Sequence, residues 1–211
     1  MKKIILILFL FLLCLACYYI YKVTEDKQLD IVAIGDDIAY NPYLDNLNHD
    51  FVNKDYRIND LLSIINYNQE LLVGGKTESI HKLLKNADIL IISIGMNDIY
   101  YKLNDSSKEI YTYLNDIINK YNQILQKISK YDYQQVYILN YYNTSNKNND
   151  IFTYINYKLN KITNNYNYTY IDLSKILSNR PQYHQNNHDF SLNSDGYYQI
   201  FKILVEKTKK T

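Results

Sequence analysis

The chain of 211 residues has no tryptophan, two prolines, five glycines and two cysteines. Both cysteines, Cys14 and Cys17, fall inside an N-terminal apolar run, so the part that folds has no disulfide and no thiolate chemistry. No charge of one sign dominates: 23 Lys and Arg stand interspersed with 22 Asp and Glu, for a formal net charge of +1. Without a basic stripe, nucleic acid is not an expected partner. Tyr, Asn, Ile and Lys are abundant instead, the bias of an AT-rich coding lineage, so the 25 tyrosines carry little functional weight by number alone.

One long hydrophobic run is present. Met1-Lys2-Lys3 precedes an unbroken apolar stretch from Ile4 to Tyr21, close to the ~20 residues that cross a bilayer as a helix. Lys2 and Lys3 favour keeping that end cytoplasmic, which directs the rest of the chain to the outer side. A cleaved signal peptide is a competing reading. A third is a lipoprotein, because Leu15-Ala16-Cys17 is similar to a processing site with Cys17 acylated, although Cys14 stands where leucine is usual. Each reading puts the domain at the outer face of the cell membrane. The expected organisation is an anchor or signal segment over 1–21, a charged stalk over 22–29, and one domain with a single core over 30–211.

After the stalk, short apolar runs alternate with helical patterns. Strands are expected at 30–34, 88–94, 135–140 and 168–172, each a compact run of the kind a parallel sheet buries on both faces. The clearest helix is 107–129, where Ile110, Tyr113, Leu114, Ile117, Tyr121, Ile124, Leu125 and Ile128 recur at three- and four-residue steps. Others are expected at 57–66, 77–86, 150–165 and 195–209. That order implies an α/β fold of three layers, α/β/α, with a mostly parallel sheet, flavodoxin-like in plan. In such sheets ligands bind beyond the C-terminal ends of the strands.

Three stretches fall at those ends. The first is Gly35-Asp36-Asp37-Ile38, after the first strand. The second is Gly95-Met96-Asn97-Asp98, after a central strand. The third is His188-Asp189-Phe190-Ser191-Leu192-Asn193-Ser194-Asp195-Gly196-Tyr197, before the last helix. In this order they resemble the SGNH (GDSL) hydrolase family of esterases and lipases, over roughly residues 30–205. That family carries Gly-Asp-Ser, then Gly-x-Asn-Asp, then Asp-x-x-His. The resemblance implies a site in which Asn97 is an oxyanion donor. It puts the nucleophile at position 37, the general base at 191 and its orienting partner at 188. Gly35, Asp36, Gly95, Asp98 and Asp189 would border the bound ligand. The second oxyanion donor falls near Asp55.

The side chains depart from that pattern. Position 37 holds Asp, 191 holds Ser and 188 holds His. A serine becomes a nucleophile when a base with a pKa near ~6.5 takes its proton, and a hydroxyl at 191 cannot do so near neutral pH. An anion at 37 would repel a developing oxyanion. As a plain structural element, Asp37 suits a helix start, capping free N–H groups. Three chemical alternatives remain: Asp37 as a carboxylate nucleophile, a permuted set in which His188 activates Ser191 near Asp37, and a cation site of Asp36, Asp37, His188 and Asp189.

His184 and His188 lie in a polar loop and read as solvated, with His49 and His81 at the surface. Gly74-Gly75-Lys76-Thr77 lacks the first glycine of a phosphate loop, since position 70 is Glu; it reads as a turn before a helix starting at Thr77-Glu78. The sequence thus points to a membrane-tethered, extracytoplasmic SGNH-like domain that is catalytically degenerate, a pseudoenzyme binding a cell-wall glycan or lipid, with no cofactor. The rivals are an active ester hydrolase with an unconventional catalytic set and an interaction scaffold at the membrane.

Overall fold

A computed structural model of the protein describes residues 11–18, 29–36, 43, 49–51, 57–73, 76–103, 107–144, 146–185 and 190–208. Its strands are β1 (Ile31–Gly35), β2 (His49–Phe51), β3 (Glu70–Val73), β4 (Lys76–Ser79), β5 (Ile89–Ser93), β6 (Gln135–Leu139) and β7 (Thr169–Ile171). Its helices are α1 (residues 11–18), α2 (Ile58–Tyr67), α3 (Ile80–Asn86), α4 (Met96–Lys102), α5 (Ser107–Ile128), α6 (Asn149–Asn164), α7 (Ser174–Leu177) and α8 (Ser194–Thr208).

Every residue of β1 and β5 is buried. Alternate side chains of a strand point to opposite faces, so both faces of the sheet are covered where these strands run. The sheet has the order β2-β1-β5-β6-β7 and all its pairs are parallel. The apolar stripe of α5 is buried from Ile110 to Ile128 except for the half-buried Tyr113, and the helix packs between α2 and α6. The three-layer α/β/α plan expected from the sequence is present, and its four expected strands and its long helix fall within two residues of their expected bounds.

Some elements differ from expectation. The helix expected over 77–86 begins at Ile80, with the Ser79 hydroxyl accepting from the Lys82 N–H at 3.4 Å. Its first residues instead form β4, antiparallel to β3, with Val73 opposite Lys76. Two residues, Gly74 and Gly75, are left to connect the strands, a composition that suits a tight hairpin. Leu71 and Val73 face inward while Glu70 and Leu72 face out. The segment after β5 contains α4, and neither α4 nor β2 was anticipated. His81 is half-buried rather than at the surface: one ring nitrogen meets the Tyr131 hydroxyl and the other the Ile65 carbonyl. His49 lies on β2.

Of the N-terminal run, α1 exposes Phe11, Leu12, Leu13, Leu15 and Tyr18, and carries Cys14 and Cys17 as free thiols. No helix among the described residues is long and apolar enough to cross a membrane. Most of the expected 1–21 segment and nearly all of the stalk lie outside the described residues.

Candidate functional site

The C-terminal ends of β1 and β5, adjacent strands in parallel register, bring the first two sequence signatures together. Gly35 ends β1 opposite Ser93, and a Cβ on it would lie 1.5 Å from the Ser93 carbonyl oxygen. Only glycine permits the two backbones to approach so closely. The next residue, Asp36, is fully buried. Its N–H donates to the Ser93 carbonyl at 2.7 Å, and its carboxylate accepts from the Ser93 hydroxyl at 3.2 Å and the Met96 N–H at 2.8 Å. Asp36 therefore ties the end of β1 to the first turn of α4, where a carboxylate also meets the favourable end of the helix dipole.

Gly95 supplies the turn from β5 into α4 with φ of 102°, a conformation that favours glycine. A Cβ there would come within 2.7 Å of the Tyr141 hydroxyl, which donates to the Ile94 carbonyl at 2.8 Å. Asn97 follows on the first turn of α4, half-buried. Asp98 is buried beneath it and accepts from the Ile58 N–H, the first residue of α2, at 3.0 Å. So one carboxylate caps α4, and a carboxylate carried on α4 caps α2.

Burial pushes the Asp98 carboxyl above the ordinary carboxylate range, outweighing the opposing pull of the Ile58 N–H and of Arg57. Burial, then the charge of Asp98, pushes the Tyr113 hydroxyl up to about 12. A carboxyl raised in the native state holds its proton more tightly there than in the unfolded chain. Its contribution to stability is fully present below the unfolded pKa of about 3.9 and is lost as pH rises through the native value. Relative to Asp98→Asn, the wild type is therefore expected to lose stability as pH climbs from below about 3.9 through the raised native value of Asp98. Urea midpoints of both proteins across that range check this; parallel curves would contradict it.

The third signature is held against the same end of the sheet. Phe190 packs on Tyr100 of α4 with ring centroids 4.5 Å apart, and its carbonyl accepts from the Tyr142 hydroxyl at 2.9 Å. Asn193 caps α8 by accepting from the Gly196 N–H at 3.0 Å, and its amide donates to the carbonyls of Gln182 (2.7 Å) and His184 (3.2 Å). A Cβ on Gly196 would meet the Tyr183 carbonyl oxygen at 2.4 Å. Asn193 and Gly196 thus clamp the loop to the helix start. Asn193→Ala is expected to cost about 1–2 kcal/mol, the usual loss of an N-cap with its added bonds, read as a lowered melting temperature.

His184 is not solvated. It is 5% exposed, lies against the Tyr142 ring at 5.6 Å, and its Nε2 donates to the Leu177 carbonyl at 3.1 Å. Its Nδ1 is buried with no hydrogen-bond partner among the described residues. His184 pairs with Leu192 across an antiparallel bridge, and the Gln185 N–H donates to the Ser191 carbonyl at 2.9 Å. Alternation places His184 on the inner face with Leu192 and Ser191 on the other face. His184 is therefore turned away from Ser191 and does not serve it as a base.

Gly35, Asp36, Gly95, Asn97 and Asp98 are thus gathered around one turn, and Ser191 lies in the loop anchored beside it. Asp37, His188, Asp189 and Asp55 lie outside the described residues. Among the described residues no group of three His, Cys, Asp or Glu side chains is placed to hold a metal ion. Ser93 and Tyr141 belong to this turn and were not anticipated. A lone serine in the apolar run Ile89–Ile94 is the signal that marks Ser93.

No protein-family model matches the chain, and no curated protein matches it. Solved structures do match. A lipase from a goat rumen metagenome superposes with a TM-score of 0.66 at 16% identity, covering 84% of this chain and 96% of that one. The acetyl xylan esterase AlAXEase gives 0.62 at 15% identity, covering 85% and 99%. An acetylxylan esterase from Geobacillus stearothermophilus gives 0.59 at 14% identity, covering 84% and 93%. Catalytic mutants of that enzyme are altered at a serine, a histidine and an aspartate. At these identities the likeness establishes the fold alone, an SGNH-hydrolase-like one.

Proposed function

We propose that this protein is a degenerate member of that fold: it keeps the cleft as a binding site for an acylated glycan or lipid and has lost serine-ester hydrolysis. One observation carries the reading. The signature residues still present, Gly35, Asp36, Gly95, Asp98, Asn193 and Gly196, each make a contact that the turns and helix starts need. The positions that need a reactive side chain, 37 and 191, hold Asp and Ser instead of a nucleophile and its base.

The remaining chemistry favours holding over cutting. Asn97, on the first turn of α4, offers an amide to the carbonyl of an acyl group. A carboxylate at 37 disfavours the negative charge that attack would create there, and no imidazole stands at 191 to take a proton. The likeness to a lipase and to acetylxylan esterases supports an acylated ligand. The apolar run Ile4–Tyr21 supports attachment to the outer face of a membrane.

Equilibrium binding of an acetylated xylo-oligosaccharide and of acyl-lipid vesicles to the full chain tests the reading. One of the two is expected to bind, and Asn97→Ala to weaken it by about tenfold. An Asn97→Ala variant that binds as well as the wild type would remove the cleft from the account. Protease added to intact cells is expected to release the domain; full protection would contradict the outer-face placement.

A further inference from the structure

A concave site lies over the C-terminal ends of β6 and β7 and against α6. It encloses about 430 Å³, within the range of small-ligand pockets. Its floor is a closed hydrogen-bond network. The Asn140 amide donates to the Tyr170 hydroxyl and to Asp172, both at 2.8 Å, and accepts from the Ser174 N–H at 3.1 Å. The Ser174 hydroxyl donates to Asp172 at 2.5 Å, and Lys175 pairs with the other Asp172 oxygen at 3.3 Å. The floor is thus fixed in place before any ligand arrives.

The rim differs. Thr153, Tyr157 and Asn160 line the groove from one face of α6, at spacings of four and three residues. None of the three side chains makes a hydrogen bond among the described residues, and Tyr157 is 64% exposed. They offer two hydroxyls, an amide with donors and an acceptor, and the face of an aromatic ring. Among the described residues, charge on the groove cancels, because the carboxylate that lines it, Asp172, is paired with the cation that lines it, Lys175. A phosphate or a metal ion would have to break that pair. A purely apolar ligand would leave the rim amide and hydroxyls desolvated without partners.

We propose that this groove binds a short neutral oligosaccharide, whose hydroxyl edges match the amide and hydroxyls and whose apolar C–H face matches the Tyr157 ring. The site is separate from the turns that follow β1 and β5, and it does not rest on their chemistry or on an acyl group.

The test uses the full chain in a zwitterionic, sugar-free detergent. It is titrated with unacetylated xylobiose, cellobiose and chitobiose, followed by calorimetry and by the side-chain amide signals of ¹⁵N-labelled protein. Saturable binding of at least one sugar is expected, weakened at least about tenfold by Tyr157→Ala combined with Asn160→Leu. Tyr67→Ala, the loss of an even more exposed tyrosine on α2, is expected to bind as the wild type. Circular dichroism on each variant establishes that it is folded. No saturable binding of any of the three sugars would overturn the proposal, as would unchanged binding by the folded rim variant. Loss of binding on Asn97→Ala with none at the rim would place the sugar in the cleft, overturning the groove while leaving the proposed function intact.

Discussion

Replacing Gly35 with alanine is expected to prevent the domain from folding. The added Cβ would stand 1.5 Å from the Ser93 carbonyl oxygen and 2.4 Å from its carbon, both backbone atoms of the neighbouring central strand. A flexible side chain could swing aside, but a buried strand held in parallel register on both sides cannot. Relief would require β1 and β5 to part at their C-terminal ends. That would break the Asp36 N–H bond to Ser93 and shift the carboxylate that caps α4. A clash of this kind with loss of buried hydrogen bonds exceeds about 4 kcal/mol, against a total stability of about 5–15 kcal/mol for a domain. Soluble yield and a thermal melt by circular dichroism measure it. A Gly35→Ala protein melting with the wild type would show that the two strands do not meet as described.

The second large effect is a gain. The triple variant Asp37→Ser, His188→Asp, Ser191→His is expected to hydrolyse p-nitrophenyl acetate at least about a hundredfold faster than the wild type. A nucleophile, base and orienting carboxylate act as a unit, so restoring one alone is expected to give almost nothing. The parts around them are in place. The Gly35–Asp36 turn is pinned to α4, Asn97 stands on its first turn, and the loop bearing Ser191 is clamped by Asn193 and by Phe190 on Tyr100. Covalent labelling by a fluorophosphonate at residue 37 would identify the new nucleophile. A folded triple variant that neither turns over ester nor labels would show that the cleft, and not only its side chains, has changed.

Much of the fold was legible because burial on both faces leaves a plain mark. The runs at 31–34 and 89–92 are wholly apolar and became the sheet's central strands. Strand β2 left no such mark: His49-Asp50-Phe51 is short, polar at two of three positions, and pairs with β1 alone. The β3–β4 hairpin was hidden because Thr77-Glu78-Ser79 has the composition of a helix start, and only Ser79 serves as one. His184 was misread for a different reason. Its neighbours in sequence are polar, and its burial comes from Leu177, Tyr142 and Leu192, which the fold brings from elsewhere. At the site, sequence order located the turns, but not the partners of Asp36 and Asp98, which are backbone N–H groups with no sequence signature of their own.

Loss of the reaction within a retained fold is tested most directly by ester turnover of the purified wild-type chain, measured beside Asp37→Ala and Ser191→Ala. A degenerate site predicts that all three proteins leave p-nitrophenyl acetate at the rate of buffer and take up no fluorophosphonate. Turnover by the wild type that either substitution abolishes would contradict it and make the protein an ester hydrolase with an unconventional catalytic set.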